Sequence, residues 1–94
     1  MKAIIICYSL GKANHSIRSK LKRELYGYTD KSNRGRYIYK REGILQKIPH
    51  LKPTRGVIIV PAEYADRILD VLKVYKAQIK TYEIMINQKK LTPA

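Results

Sequence analysis

The side chains of this sequence that could do chemistry are cations and tyrosines. Between residues 12 and 55 there are thirteen lysines and arginines against three acids, so this stretch holds +10 of the chain's net +13. Five of the eight tyrosines (Tyr8, Tyr26, Tyr28, Tyr37 and Tyr39) lie in or beside it, and the 94 residues contain no Phe or Trp. Lysine and arginine neutralise phosphates and release their counterions, while a phenol ring can stack on a base or sugar and still hydrogen-bond. The residues expected to meet a nucleic acid are therefore Lys12, Arg18, Lys22, Lys31, Arg34, Arg36, Tyr37, Tyr39, Lys40 and Arg41. A plainer role competes for the tyrosines: Tyr26 and Tyr28 can close a helix against the core, and Tyr37 and Tyr39 can pack a sheet face.

Catalytic patterns are weaker. Cys7, His15 and His50 are scattered and the seven acids are spaced as surface charges, so neither a structural nor a catalytic metal is expected, nor any other cofactor. Leu10, Gly11 and Lys12 are too short a match to a phosphate-binding loop and read as a turn carrying a lysine. Ser9, His15 and Asp30 supply the residue types of a hydrolase triad, a trio that chance offers in any chain of this size. His15 reads as a surface histidine or a nucleic-acid contact. The expectation is a protein that is not an enzyme.

These residues must be carried by ordinary elements. Residues 3–9 are apolar and β-branched, a central strand in which Cys7 is expected to be a buried, inert thiol. In 14–26, Ile17, Leu21 and Leu25 recur at helical spacing among basic residues, with Asn14 or Ser16 as cap and Gly27 as the stop. Residues 28–36 are rich in turn formers and read as a loop, and 36–41 alternate as a second strand. A connection over 44–53, punctuated by Pro49 and Pro53, leads to a third strand at 56–60, an antiparallel neighbour of the second. Pro61 opens a second helix over 61–76 with its stripe on Tyr64, Ala65, Ile68, Leu69, Leu72 and Tyr75. A half-buried fourth strand follows at 78–86. The expectation is an α+β, ferredoxin-like βαββαβ domain over 1–87, a four-stranded antiparallel sheet with both helices on one face, and a flexible tail at 88–94.

This order, with its basic helix, resembles the small dimeric nuclease-like subunit of the CRISPR adaptation complex in topology and size over residues 2–86. That family places an acid at the end of its first strand to bind a catalytic metal; here the positions read Tyr8, Ser9 and Leu10, which departs from the pattern at the metal-binding group. The run Arg34, Gly35, Arg36, Tyr37, Ile38, Tyr39 also resembles the aromatic signature of RNA-recognition motifs, although their signature lies on the third strand.

The charge, the tyrosines and these resemblances imply a non-catalytic nucleic-acid-binding protein, RNA favoured over DNA, attached to a ribosome or another ribonucleoprotein. Three other readings stay open: a double-stranded-DNA architectural protein, a phosphodiesterase subunit using Asp30 and Glu42, and an interaction subunit for an acidic protein. One cysteine, no secretory-type apolar run and no membrane-length segment imply a cytoplasmic protein without a membrane partner. The abundance of Lys, Ile and Tyr with little Gln also suits a thermophile. Homodimerisation stays open, since ferredoxin-like domains pair through sheet edges or open sheet faces.

Overall fold

The computed structural model of the chain describes residues 1–12, 14–32 and 37–87, the side chains of residues 30–32 and 37 excepted. Strand β1 (Lys2–Ser9) is the apolar run of the sequence, and its neighbours explain why both its faces are apolar. It lies inside a four-stranded sheet, antiparallel to β5 (Val57–Pro61) on one side and to β6 (Gln78–Met85) on the other. Strand β4 (Leu51–Thr54) pairs with β5, giving the order β4-β5-β1-β6. A separate antiparallel hairpin joins β2 (Tyr28–Ser32) to β3 (Tyr37–Arg41).

Helix α1 (His15–Tyr26) starts where Asn14 Oδ1 accepts the Ile17 N–H at 2.9 Å, satisfying one of the first turn's unpaired donors. It ends at Gly27, whose φ of +79° suits glycine and whose N–H donates to the Arg23 carbonyl at 2.8 Å. Helix α2 (Ala65–Val74) follows a short 3₁₀ turn, Ala62–Tyr64. Leu21 and Leu25 of α1, Ile68 and Leu72 of α2, and Ile6, Ile58 and Val60 of the sheet form one buried cluster. Both helices therefore cover the same sheet face. Leu45 and Ile48, from a 3₁₀ turn at Ile44–Lys47 and its end, complete the cluster. Burying each of these aliphatic side chains contributes roughly 1.5–3 kcal/mol.

The hairpin is rooted beside the end of α1. Gly27 and Gly43 lie back to back, so a Cβ on Gly43 would meet the backbone of Gly27, Leu25 and Tyr26. Gln46 clamps the junction: its amide nitrogen donates to the Tyr26 carbonyl at 2.9 Å and its oxygen accepts from the Gly43 N–H at 3.2 Å.

The architecture is α+β, with two helices and antiparallel strand pairs, and it corrects several expectations. The expected loop at 28–36 carries β2, and the expected second strand is β3, which pairs with β2 instead of entering the main sheet. Its place at the sheet edge is taken by β4, within the expected connection. Pro53 hid that strand, yet an edge strand tolerates a residue with no N–H to donate. Pro61 ends β5 and caps the 3₁₀ turn Ala62–Tyr64, and α2 itself begins only at Ala65. Tyr28 lies on β2 and is 41% exposed, so it does not close α1 against the core. Leu69 is only half-buried. Cys7 is also half-buried, on the sheet face away from the helices.

Candidate nucleic-acid interface

At the C-terminal end of β1 the chain turns through Gly11 into α1, and Ser9 Oγ accepts the Gly11 N–H at 3.1 Å. Arg18, one turn into the helix, donates from its guanidinium to the Gly11 carbonyl, which fixes the turn to the helix. Across from this junction the two-residue turn Arg55–Gly56 joins β4 to β5. Gly56 has φ +79° and accepts the Tyr8 N–H on its carbonyl at 2.8 Å; a Cβ there would lie 2.9 Å from the Tyr8 carbonyl oxygen. Glycine is thus what lets the turn close onto β1 and present Arg55 beside α1.

Between these elements runs a groove of about 640 Å³. Four cations line it, Arg18 and Lys22 from α1 and Lys52 and Arg55 from the β4–β5 hairpin, together with hydroxyls of Ser9, Ser19, Tyr8 and Tyr26 and the imidazole of His15. Among the described residues no carboxylate lines it. Concentrating one sign of charge in a cleft focuses its field and attracts the opposite sign. His15 Nε2 lies 3.4 Å from Ser19 Oγ, so the imidazole and a hydroxyl form a polar pair at the exposed start of α1.

The groove floor is phenolic. The Tyr26 hydroxyl is buried and off hydrogen-bond geometry to every described neighbour. Burial first, then the Tyr8 side chain beside it, push the Tyr26 phenol above its ordinary value. It is therefore a neutral donor at physiological pH. The Lys52 ammonium sits 4.2 Å from the centre of the Tyr26 ring, so this ring carries a cation instead of a stacked base. Arg23 lies 5.0 Å over Tyr28, and Arg41 lies 5.9 Å over Tyr39.

The structure divides the expected site. Arg18 and Lys22 are brought together in the groove, and Lys12 lies exposed in the turn before α1. Tyr39, Lys40 and Arg41 belong to the hairpin, where Tyr39 shares a face with Tyr28 and Arg41, while Lys40 is on the other with the exposed Ile38. Lys31 and Tyr37 occupy positions of β2 and β3, and Arg34 and Arg36 lie outside the described residues. Lys52 and Arg55, half of the groove's charge, are absent from the sequence reading. The signal available was Arg55–Gly56 between the extended runs Lys52–Thr54 and Val57–Val60, a tight-turn pattern. Among the described residues no three His, Cys, Asp or Glu side chains gather as a metal site would need, and no helix is long and apolar enough to cross a membrane. No family model, curated protein or solved structure matches the chain.

Proposed function

We propose that this chain is a non-catalytic nucleic-acid-binding protein that holds a sugar–phosphate backbone in the groove between α1 and the β4–β5 turn. The observation that carries the reading is the convergence of Arg18, Lys22, Lys52 and Arg55, with hydroxyl donors and no carboxylate among the lining residues. Of the acids of the alternative phosphodiesterase reading, Glu42 pairs with Lys47 at 3.2 Å, and Asp30 occupies a position of β2. RNA is favoured over DNA because single strands offer unstacked bases, and the exposed rings of Tyr28 and Tyr39 on the hairpin give them surfaces beside arginines. The Ser9 and Ser19 hydroxyls can also meet a 2′-OH. A cytoplasmic ribonucleoprotein, such as a ribosome, is the setting this reading implies.

The fold supports it as a scaffold. We read the β2–β3 hairpin as an insertion after α1; the remaining succession of strand, helix, strand, strand, helix, strand and the sheet order β4-β5-β1-β6 then support a ferredoxin-like core. One other reading has an observation in its favour: a basic two-stranded hairpin is the right shape for a DNA major groove. Fluorescence anisotropy with labelled single-stranded RNA, single-stranded DNA and duplex DNA across a salt series separates the readings. Tightest binding to single-stranded RNA, weakening linearly on a log–log salt plot, is expected. Preference for the duplex would favour the architectural reading, and no binding to any of the three at low salt would overturn both.

A further inference from the structure

The sheet face opposite the helices is apolar, and among the described residues none of the core cluster packs on it. Ala3, Ile5 and Cys7 of β1 lie on it beside Val57, Ile59 and Pro61 of β5, Tyr82 and Ile84 of β6, and Leu51 of β4, as the strand registers require. Of these, Ile5, Cys7, Val57, Ile59, Ile84 and Leu51 are half-buried and Tyr82 is 54% exposed. None belongs to the buried cluster or to the hydrophobics packed against it, all of which lie toward the helices. Ala3 and Pro61, small side chains of the same face, are buried. We infer that a second copy of this chain packs on this face, sheet against sheet, to form a two-fold dimer.

Charge argues for that occupant. In a chain of net +13, the described strand residues of this face include one charged side chain, Lys80. A polyanion or an acidic protein would find almost nothing to pair with here, whereas a second near-neutral apolar face matches it. Area argues the same way. The strands comprise 8, 8, 5 and 4 residues. With a rise of about 3.3 Å and a spacing of about 4.8 Å, they give a footprint of roughly 400 Å² per copy before side-chain relief is counted. Two copies bring about 800 Å² before that relief, against the roughly 1,000 Å² in total of a specific interface, so only an occupant as broad as the face itself approaches the size required. The segment 88–94, QKKLTPA, is one strand wide at most and brings two lysines and a single leucine. Two such sheets pack about 10 Å apart and leave each groove, which lies on the helix side, open.

Burial of apolar surface between two cationic bodies has a salt dependence opposite to phosphate binding. Added salt screens the repulsion between the copies, over a Debye length of about 8 Å at physiological ionic strength, and leaves the apolar contact intact. The inference therefore stands or falls independently of the nucleic-acid reading. The test is sedimentation of the nucleic-acid-free full chain over a concentration and salt series, together with the rate at which Cys7 reacts with an aromatic disulfide reagent. Expected are a species of twice the 10.9 kDa chain mass that strengthens with salt, and a Cys7 rate that falls as concentration rises. Tyr82→Glu, at an exposed position, and separately Ile59→Lys should each return the monomer with fast Cys7 reaction and an unchanged circular dichroism spectrum. A monomer at all concentrations with a constant Cys7 rate overturns the inference. So does a dimer that survives both substitutions with Cys7 still reactive, or a monomer whose Cys7 becomes reactive only when the chain is cut after Asn87.

Discussion

Replacing Lys22, Lys52 and Arg55 together by alanine removes three of the four groove cations while leaving Arg18 to hold the β1–α1 turn. All three side chains are exposed, so the fold should tolerate the change. If each neutralises one phosphate of a single strand, each contributes about 0.7 to the slope of log K against log salt, and the triple variant lowers that slope by about 2.1. Extrapolated from a common value at 1 M salt, that difference is a loss of roughly 500-fold in affinity at 50 mM salt, narrowing to roughly 30-fold at 200 mM. The control removes the same charge elsewhere: Arg67, Lys73 and Lys76 lie exposed along and just beyond α2. Anisotropy with a single-stranded RNA at five salt concentrations measures both slopes. A third variant, Lys40→Ala with Arg41→Ala, separates the hairpin from the groove and should lower the slope by about 1.4 if the hairpin holds phosphates as well. Equal loss from the groove triple and the α2 triple would mean that the ligand responds to net charge alone, and the groove would not be a site.

Leu72→Ala, at a position with no exposed surface and within the core cluster, should cost about 2–5 kcal/mol in urea unfolding, and Leu69→Ala, half-buried, distinctly less; equal losses would refute the assigned stripe. Gly43→Ala must push the hairpin root away from Gly27, and hydrogen exchange should show β2 and β3 losing protection before β1 does. Tyr26→Phe removes a buried hydroxyl that is off hydrogen-bond geometry to every described neighbour, so near pH 7 it should leave stability unchanged or raise it. Because the folded Tyr26 pKa is raised, wild-type stability from this group is intact below the unfolded value of about 10 and is lost as pH rises beyond it. Melting curves from neutral to strongly alkaline pH should therefore fall less steeply for the variant, and identical curves would refute the assignment.

The parts of the fold that could be read from the sequence are those where one residue pattern has one structural solution. The spacing of Leu21 and Leu25, and of Ile68 and Leu72, permits little but a helix with that stripe inward, and these four side chains are in the core. The β-branched runs at β1 and β5 were equally plain. What misled was pairing, which is decided by long-range partners. Residues 37–41 alternate as any strand does, and nothing local says whether they join β5 or fold back on 28–32. The glycine pair does say it in retrospect: Gly27 and Gly43 bracket the hairpin and touch each other, a contact no side chain would permit. The site was half legible for a similar reason. Arg18 and Lys22 are four apart on a helix and so share a face, whereas Lys52 and Arg55 reach the same groove only because an unrecognised edge strand turns at Gly56 and closes on Tyr8.

Helix α1 sets the relation between the two basic surfaces. It supplies Arg18 and Lys22 to the groove, and the glycine at its C-terminal end roots the hairpin that carries Tyr39, Lys40 and Arg41. Twelve residues of helix span about 18 Å and the groove is lined along that length from His15 to Tyr26, so a ligand that fills it comes up to the root of the hairpin. A mononucleotide or free phosphate could therefore occupy one surface only, while a strand of several nucleotides could occupy both. Engaging the second surface from a ligand already held by the first is an intramolecular step, favoured by effective concentration, provided the helix keeps the spacing fixed. The Gln46 clamp and the Asn14 cap, one at each end of α1, are what keep it fixed. The same arrangement accounts for the division of the surface. Cations gather in the groove along α1 and on the hairpin at its C-terminal end, where a backbone can be tracked, and the apolar sheet face lies away from the helices, where it can be covered without obstructing them.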